Sequence, residues 1–202
     1  MSALLMKDFY LLWKQLKAFL VIILVFSAIP GGYNTVFAVA YAAMLPYSCI
    51  AYDERSKWDQ LAAMMPYTAK AIVGSKYALG LLLIGSISLL SAASQVVVSV
   101  VQHVPLNTET LISIPLVACG ALLMMLIDLP LMFRLGVENG RIIYILLTCG
   151  CVTYFAMNTD DVIASLDTVS VYSALLMVLA ITIVAFVISY TISIQVLSLI
   201  HI

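Results

Sequence analysis

The chain has 202 residues, of which 64% are hydrophobic and 9% charged, and its formal net charge is −1. Soluble domains carry roughly 25% charged residues, so this composition excludes one and makes a bilayer the solvent of most of the chain. No nucleic-acid partner is expected.

The N-terminal stretch MSALLMKDFYLLWKQLK has helical periodicity. Leu5, Phe9, Leu12 and Leu16 share one face while Lys7, Tyr10, Lys14 and Lys17 share another. This is the pattern of an interfacial helix over residues 1–16, with a basic stripe against anionic membrane lipids. Leu11 onward equally serves as the start of a first span near 17–30. Ala18 to Ile29 is short, but helix continued back through Leu16, Leu12 and Leu11 reaches the ~20 residues that cross about 30 Å, with Lys14 and Lys17 snorkelling to headgroups. Nothing resembling an Ala-x-Ala cleavage site follows Phe26, and Pro30-Gly31-Gly32 reads as a hairpin turn, so the segment is expected to be retained rather than removed as a signal peptide.

Five longer apolar stretches follow, near 33–52, 71–101, 111–133, 142–157 and 169–200. The expected fold is therefore all-α: a polytopic membrane protein with six transmembrane helices in one transmembrane domain over 1–202. With six spans, Lys7, Lys14, Lys17, Arg55, Lys57, Lys70, Lys76, Arg134 and Arg141 all fall on one side. The opposite loops hold His103, Glu109, Asp160, Asp161 and Asp167. By the positive-inside rule both termini are expected in the cytoplasm.

Between the second and third spans lies AYDERSKWDQLAAMMPYTAKAIVGSKYALG, the most charged part of the chain. Trp58, Leu61, Ala62 and Met65 recur at i, i+3, i+4 and i+7, Asp53 and Glu54 stand where a helix N-terminus favours anions, and Pro66 ends the pattern. The spacing predicts a short amphipathic helix over 53–65 within a cytoplasmic segment 53–70. Such a helix either caps the bundle or offers Trp58 and the adaptable Met64-Met65 pair to a cytoplasmic partner. Further on, FRLGVENGR is a short cytoplasmic turn with Gly136 and Gly140 as breakers. Its Arg134, Glu138 and Arg141 either anchor the spans at phosphates or form a second partner contact.

Asp128 is an acid inside a predicted span, beside Pro130. An intramembrane carboxylate is a functional candidate by default, here for gating or substrate; the alternative is a structural carboxylate bonded to freed backbone or a neighbouring span. Cys49, Cys119, Cys149 and Cys151 lie within or at the ends of spans, which argues against a disulfide framework. The Cys149-x-Cys151 spacing does not suit zinc, so no metal site is expected. No Gly-x-x-x-x-Gly-Lys-Ser/Thr phosphate loop occurs, so nucleotide energy has to come from another chain.

Three segments resemble permease subunits of type II ABC exporters, in particular a small bacterial subgroup that includes the permeases of phenol-soluble-modulin exporters. They are LLMKDFYLLWKQLK, residues 53–77 and LPLMFRLGVENGR. The resemblance implies that the segment around Asp53, Glu54, Arg55, Lys57, Trp58, Asp59, Leu61, Met64, Met65 and Pro66 is a coupling helix docking in a cleft of an ATPase subunit. It further implies two ATPase subunits binding ATP and Mg, a second permease that is identical or paralogous, and a place in the bacterial plasma membrane. An amphipathic cargo, peptide or lipid-like, would leave the cytoplasm between the two permeases. This chain would perform no covalent chemistry and have no catalytic residues or cofactor of its own. Two rival readings are a non-catalytic anchor or sensor that recruits an ATPase, and a membrane enzyme. An intramembrane protease needs paired catalytic groups within spans, where Asp128 stands alone and His103 and His201 lie at ends.

Overall fold

A computed structural model describes residues 3–13, 17, 21, 33–65, 67–102, 108–157 and 171–200, and all regular structure among them is helical. A helical stretch over 3–13 (α1) precedes α2 (Tyr33–Arg55), α3 (Trp58–Ala63), α4 (Ala69–Gln102), α5 (Thr108–Met157) and α6 (Val171–Ile200). The expected first span, its Pro30-Gly31-Gly32 hairpin, Pro66 and most of the two acidic loops lie outside the described residues.

Among the described residues, three helices are long and apolar enough to cross a membrane, over Ala69–Val101, Ile114–Ile143 and Leu175–Leu199. Of the six expected spans, the first lies outside the described residues, the second falls on α2, the third on α4, the fourth and fifth on α5 and the sixth on α6. α2 is rich in Ala and Tyr and carries Pro46 mid-helix. Val39, Ala42, Ala43, Leu45, Tyr47 and Cys49 are all buried, and the small residues among them let neighbouring helices approach closely. The predicted fourth and fifth spans are the two parts of α5, which breaks at Gly136 (φ 77, ψ 169), a backbone conformation closed to most side chains. There the chain folds back on itself. A Cβ on Gly140 would lie 2.9 Å from Met132 Cγ, so only hydrogen fits between them. Beyond the break the helix runs on over residues 137–157, about the ~20 residues of a span.

α2, α4 and α5 pack into a core of Val39, Leu45, Val73, Leu79, Ile84, Met125 and Leu129, with Leu12 of α1 and Leu197 of α6 at its edges. Gly80 of α4 allows the close approach: a Cβ there would run into the Met125 sulfur and stand 3.3 Å from Pro46. Outward faces are apolar. On α6, Leu176, Met177, Ile181, Ile183, Val184, Val187 and Ile188 are all more than half exposed, as expected of a surface solvated by hydrocarbon.

Two local expectations change. The inward face of α1 is Leu4, Asp8 and Leu12, whereas Phe9 is 43% exposed. Spacing of four residues is kept but starts elsewhere, because Asp8 finds a buried cation and draws its own face inward. The amphipathic helix expected over 53–65 is also divided. α2 runs on through Arg55, the chain turns at Ser56 and Lys57, and α3 covers only Trp58–Ala63. Lys57 adopts the left-handed conformation (φ 52, ψ 37) at the cap, which interrupts any continuous helix. Asp53 and Glu54 therefore end one helix instead of starting another.

Candidate functional site

The end of α2 gathers charge from three helices. Lys76 of α4, 3% exposed, holds Asp8 Oδ1 at 2.8 Å and Asp53 Oδ2 at 2.6 Å. Lys7 of α1 lies 2.6 Å from Asp53 Oδ1 and 3.2 Å from Asp8. Two cations thus face two buried acids, and the cluster is neutral. Desolvating such ions is expensive, so the cluster persists because each charge is paired; losing one partner leaves an uncompensated buried charge. Lys7 also sits 4.1 Å above the ring of Trp58, a cation–π contact that draws α3 against α1. Cys49, buried, donates weakly from its thiol to the Asp8 carbonyl at 3.8 Å.

Glu54 points another way. Its carboxylate accepts the Val137 amide hydrogen at 3.0 Å, just past the α5 break. That amide begins the second part of α5, where backbone N–H groups lack intrahelical partners and an anion is favoured. Arg134, Glu138 and Arg141 are all exposed around this break. The structure so brings the two charged motifs together, through Glu54.

Trp58 is half-buried under Lys7 and Ala62 is buried, so the apolar positions of α3 split between two sides. Outward stand Leu61, 49% exposed, Met64, 84%, and Met65, 41%. Arg55, Lys57 and Lys70 are exposed beside them. An apolar trio ringed by charge, presented on a tight turn between two long helices, can dock on a protein groove.

Deeper in the bundle, Asp128 is 3% exposed and accepts a hydrogen bond from the Tyr47 hydroxyl of α2. The fold thus bonds this acid to a neighbouring helix. The backbone freed by Pro130 has a different partner. Proline lacks the N–H that would bond Leu126 C=O, and Ser189 Oγ of α6 donates there instead. Ser189 also shares a hydrogen bond with the Tyr77 hydroxyl, which reaches Ser193 at 2.8 Å. Phe186 and Tyr190 meet the Tyr77 ring edge-on at 5.6 and 5.5 Å. This network binds α4, α5 and α6. No group of three metal-ligating side chains occurs among the described residues.

Sequence reasoning missed Asp8, Tyr47, Tyr77, Ser189 and Ser193. Two signals were present. Asp8 lies four residues before Leu12 in an apolar stripe, and Pro130 in a span demands a substitute donor for Leu126.

No curated protein and no solved structure matches the chain. A family model described as ABC-2 family transporter protein matches residues 3–198, so the chain belongs to that family and is a membrane permease component of an ABC-2 type transporter.

Proposed function

We propose that this chain is half of the membrane unit of an exporter, docking a cytoplasmic ATPase through Leu61, Met64 and Met65, with the charged residues Arg55, Lys57 and Asp59 of the same segment contributing to the contact. Trp58, held under Lys7, fixes the angle at which this surface is presented. The observation that carries the reading is the Leu61–Met64–Met65 trio, exposed on the turn between α2 and α4 in a chain of the ABC-2 family. ABC-2 permeases generally work with ATPase subunits, which bind the ATP and Mg; this chain has no phosphate loop of its own.

The six-span layout, with both termini cytoplasmic, rests on the one-sided distribution of the nine basic residues. Arg134, Glu138 and Arg141 form a second cytoplasmic contact. Two permeases, identical or paralogous, pair with two ATPases in the bacterial plasma membrane. The apolar outward faces of α4 and α6 suit a path between permeases for an amphipathic peptide or lipid-like cargo. The resemblance to phenol-soluble-modulin exporters supports the peptide and the outward direction. Asp128, tied to Tyr47, holds α2 against α5 and is placed to respond when they part.

The test is co-purification. Leu61→Ala/Met64→Ala removes two exposed side chains and is expected to insert and fold normally while the associated ATPase is lost from the purified complex. Full ATPase recovery with the double variant would overturn the docking assignment.

A further inference from the structure

The two acids that end α2 hold different parts of the molecule. Asp53 fastens α1 and α4 through Lys7 and Lys76, each at 2.6 Å. Glu54, the next residue, projects about 100° away around the helix and takes the Val137 amide of α5 at 3.0 Å. Gly136 lies so close that a Cβ on it would stand 3.9 Å from the Glu54 carboxylate. One turn of α2 therefore reaches the cytoplasmic ends of three other helices, with α3 attached immediately after it through Ser56 and Lys57.

The two bonds differ in kind. Asp53 is buried and belongs to a neutral cluster, so its loss disturbs the fold. Glu54 is exposed. Water can replace its carboxylate at Val137, and an exposed bond contributes little to folding. What water cannot replace is the mechanical link between α2 and the second part of α5, which meets the first part at a break where the helical ladder is interrupted.

We propose that Glu54 is a positioning residue for transport: its carboxylate makes the α5 break follow α2 and α3, so that residues 53–65 and 134–141 move as one unit. This rests on the docking reading, from which it differs in assigning Glu54 to the permease interior linkage and not to the ATPase contact. Movement at α3 then reaches α1 and α4 through Asp53 and α5 through Glu54.

The test uses the permease–ATPase complex in membrane vesicles. Ile142, 60% exposed and just past the break, is replaced by Cys in a Cys149→Ser background. Maleimide labelling rates are compared without nucleotide and after trapping with ATP, Mg and vanadate. With Glu54 present the two rates are expected to differ by about fivefold or more, the usual scale of coupling between sites. Glu54→Ala should bring the ratio close to one while ATPase recovery is unchanged. Glu54→Gln, whose amide oxygen still accepts from Val137, should restore it. The proposal is overturned if Glu54→Ala keeps the full ratio, if it loses the ATPase, or if the ratio is already one with Glu54 in place. Failure of the docking reading is separate and appears as full ATPase recovery with Leu61→Ala/Met64→Ala.

Discussion

Replacing Lys76 with Met keeps side-chain length and removes a charge from a position only 3% exposed, where it holds Asp8 at 2.8 Å and Asp53 at 2.6 Å. Asp8, 1% exposed, keeps Lys7 at 3.2 Å, and the neutral cluster acquires a net negative charge. Removing one partner of a buried pair costs about 3–5 kcal/mol. Lys7, with 25% of its side chain exposed, can shift toward the vacated site and recover part of this, so the expected loss lies near the lower end. At about 2–4 °C per kcal/mol for a chain of this size, a loss of ~3 kcal/mol lowers the apparent melting midpoint by roughly 6–12 °C. Detergent-solubilised protein heated in steps and read by size-exclusion chromatography measures it. Lys7→Gln/Asp53→Asn removes one charge of each sign and leaves the Lys76–Asp8 pair, so it should cost less than Lys76→Met despite carrying two substitutions. If Lys76→Met melts within about 2 °C of the unsubstituted protein, less than 1 kcal/mol of effect, or if the double variant is the less stable, the charge-balance reasoning fails.

Ser189→Ala leaves the Leu126 carbonyl without its donor beside Pro130 and should lower stability by about 1 kcal/mol, within the range for an unpaired buried acceptor; Ser198→Ala, at an exposed position on the same helix, is the control. Gly80→Val drives a side chain into Met125 and should destabilise by about 1–3 kcal/mol, with Met125→Ala restoring part of the loss by opening the space. Cysteines placed singly at Lys57 and Asp161 test the topology. An impermeant maleimide applied to intact cells should label the second and not the first, and labelling at Lys57 would refute cytoplasmic placement of the docking segment.

Much of the fold was legible because the apolar stretches that became α4, α5 and α6 are long, and hydropathy over such lengths overrides local detail. The break in α5 was legible too, from Gly136 and Gly140 in FRLGVENGR. The charge cluster was not. Periodicity assigns residues to faces by hydrophobicity, and it set Lys7 on a headgroup-facing stripe and passed over Asp8. In the folded chain these two meet Asp53 and Lys76, 46 and 68 residues away in the pairs Lys7–Asp53 and Asp8–Lys76. Pairing across such distances depends on how helices pack, which no local pattern records. The same holds for α3. Trp58 as the largest ring on an amphipathic pattern reads as the exposed anchor, but Lys7 covers it, and the left-handed turn at Lys57 sends Met64 outward instead.

The claim that α3 is the ATPase-facing surface is tested most directly by proximity. Met64, 84% exposed, is replaced by Cys and carries a short photo-crosslinker in the assembled complex. Irradiation should yield a covalent permease–ATPase adduct from Met64 and none from the same probe at Leu176, which is 68% exposed on the outward face of α6. An intact complex in which the probe at Met64 gives no ATPase adduct, or gives one no stronger than the probe at Leu176, would contradict the account.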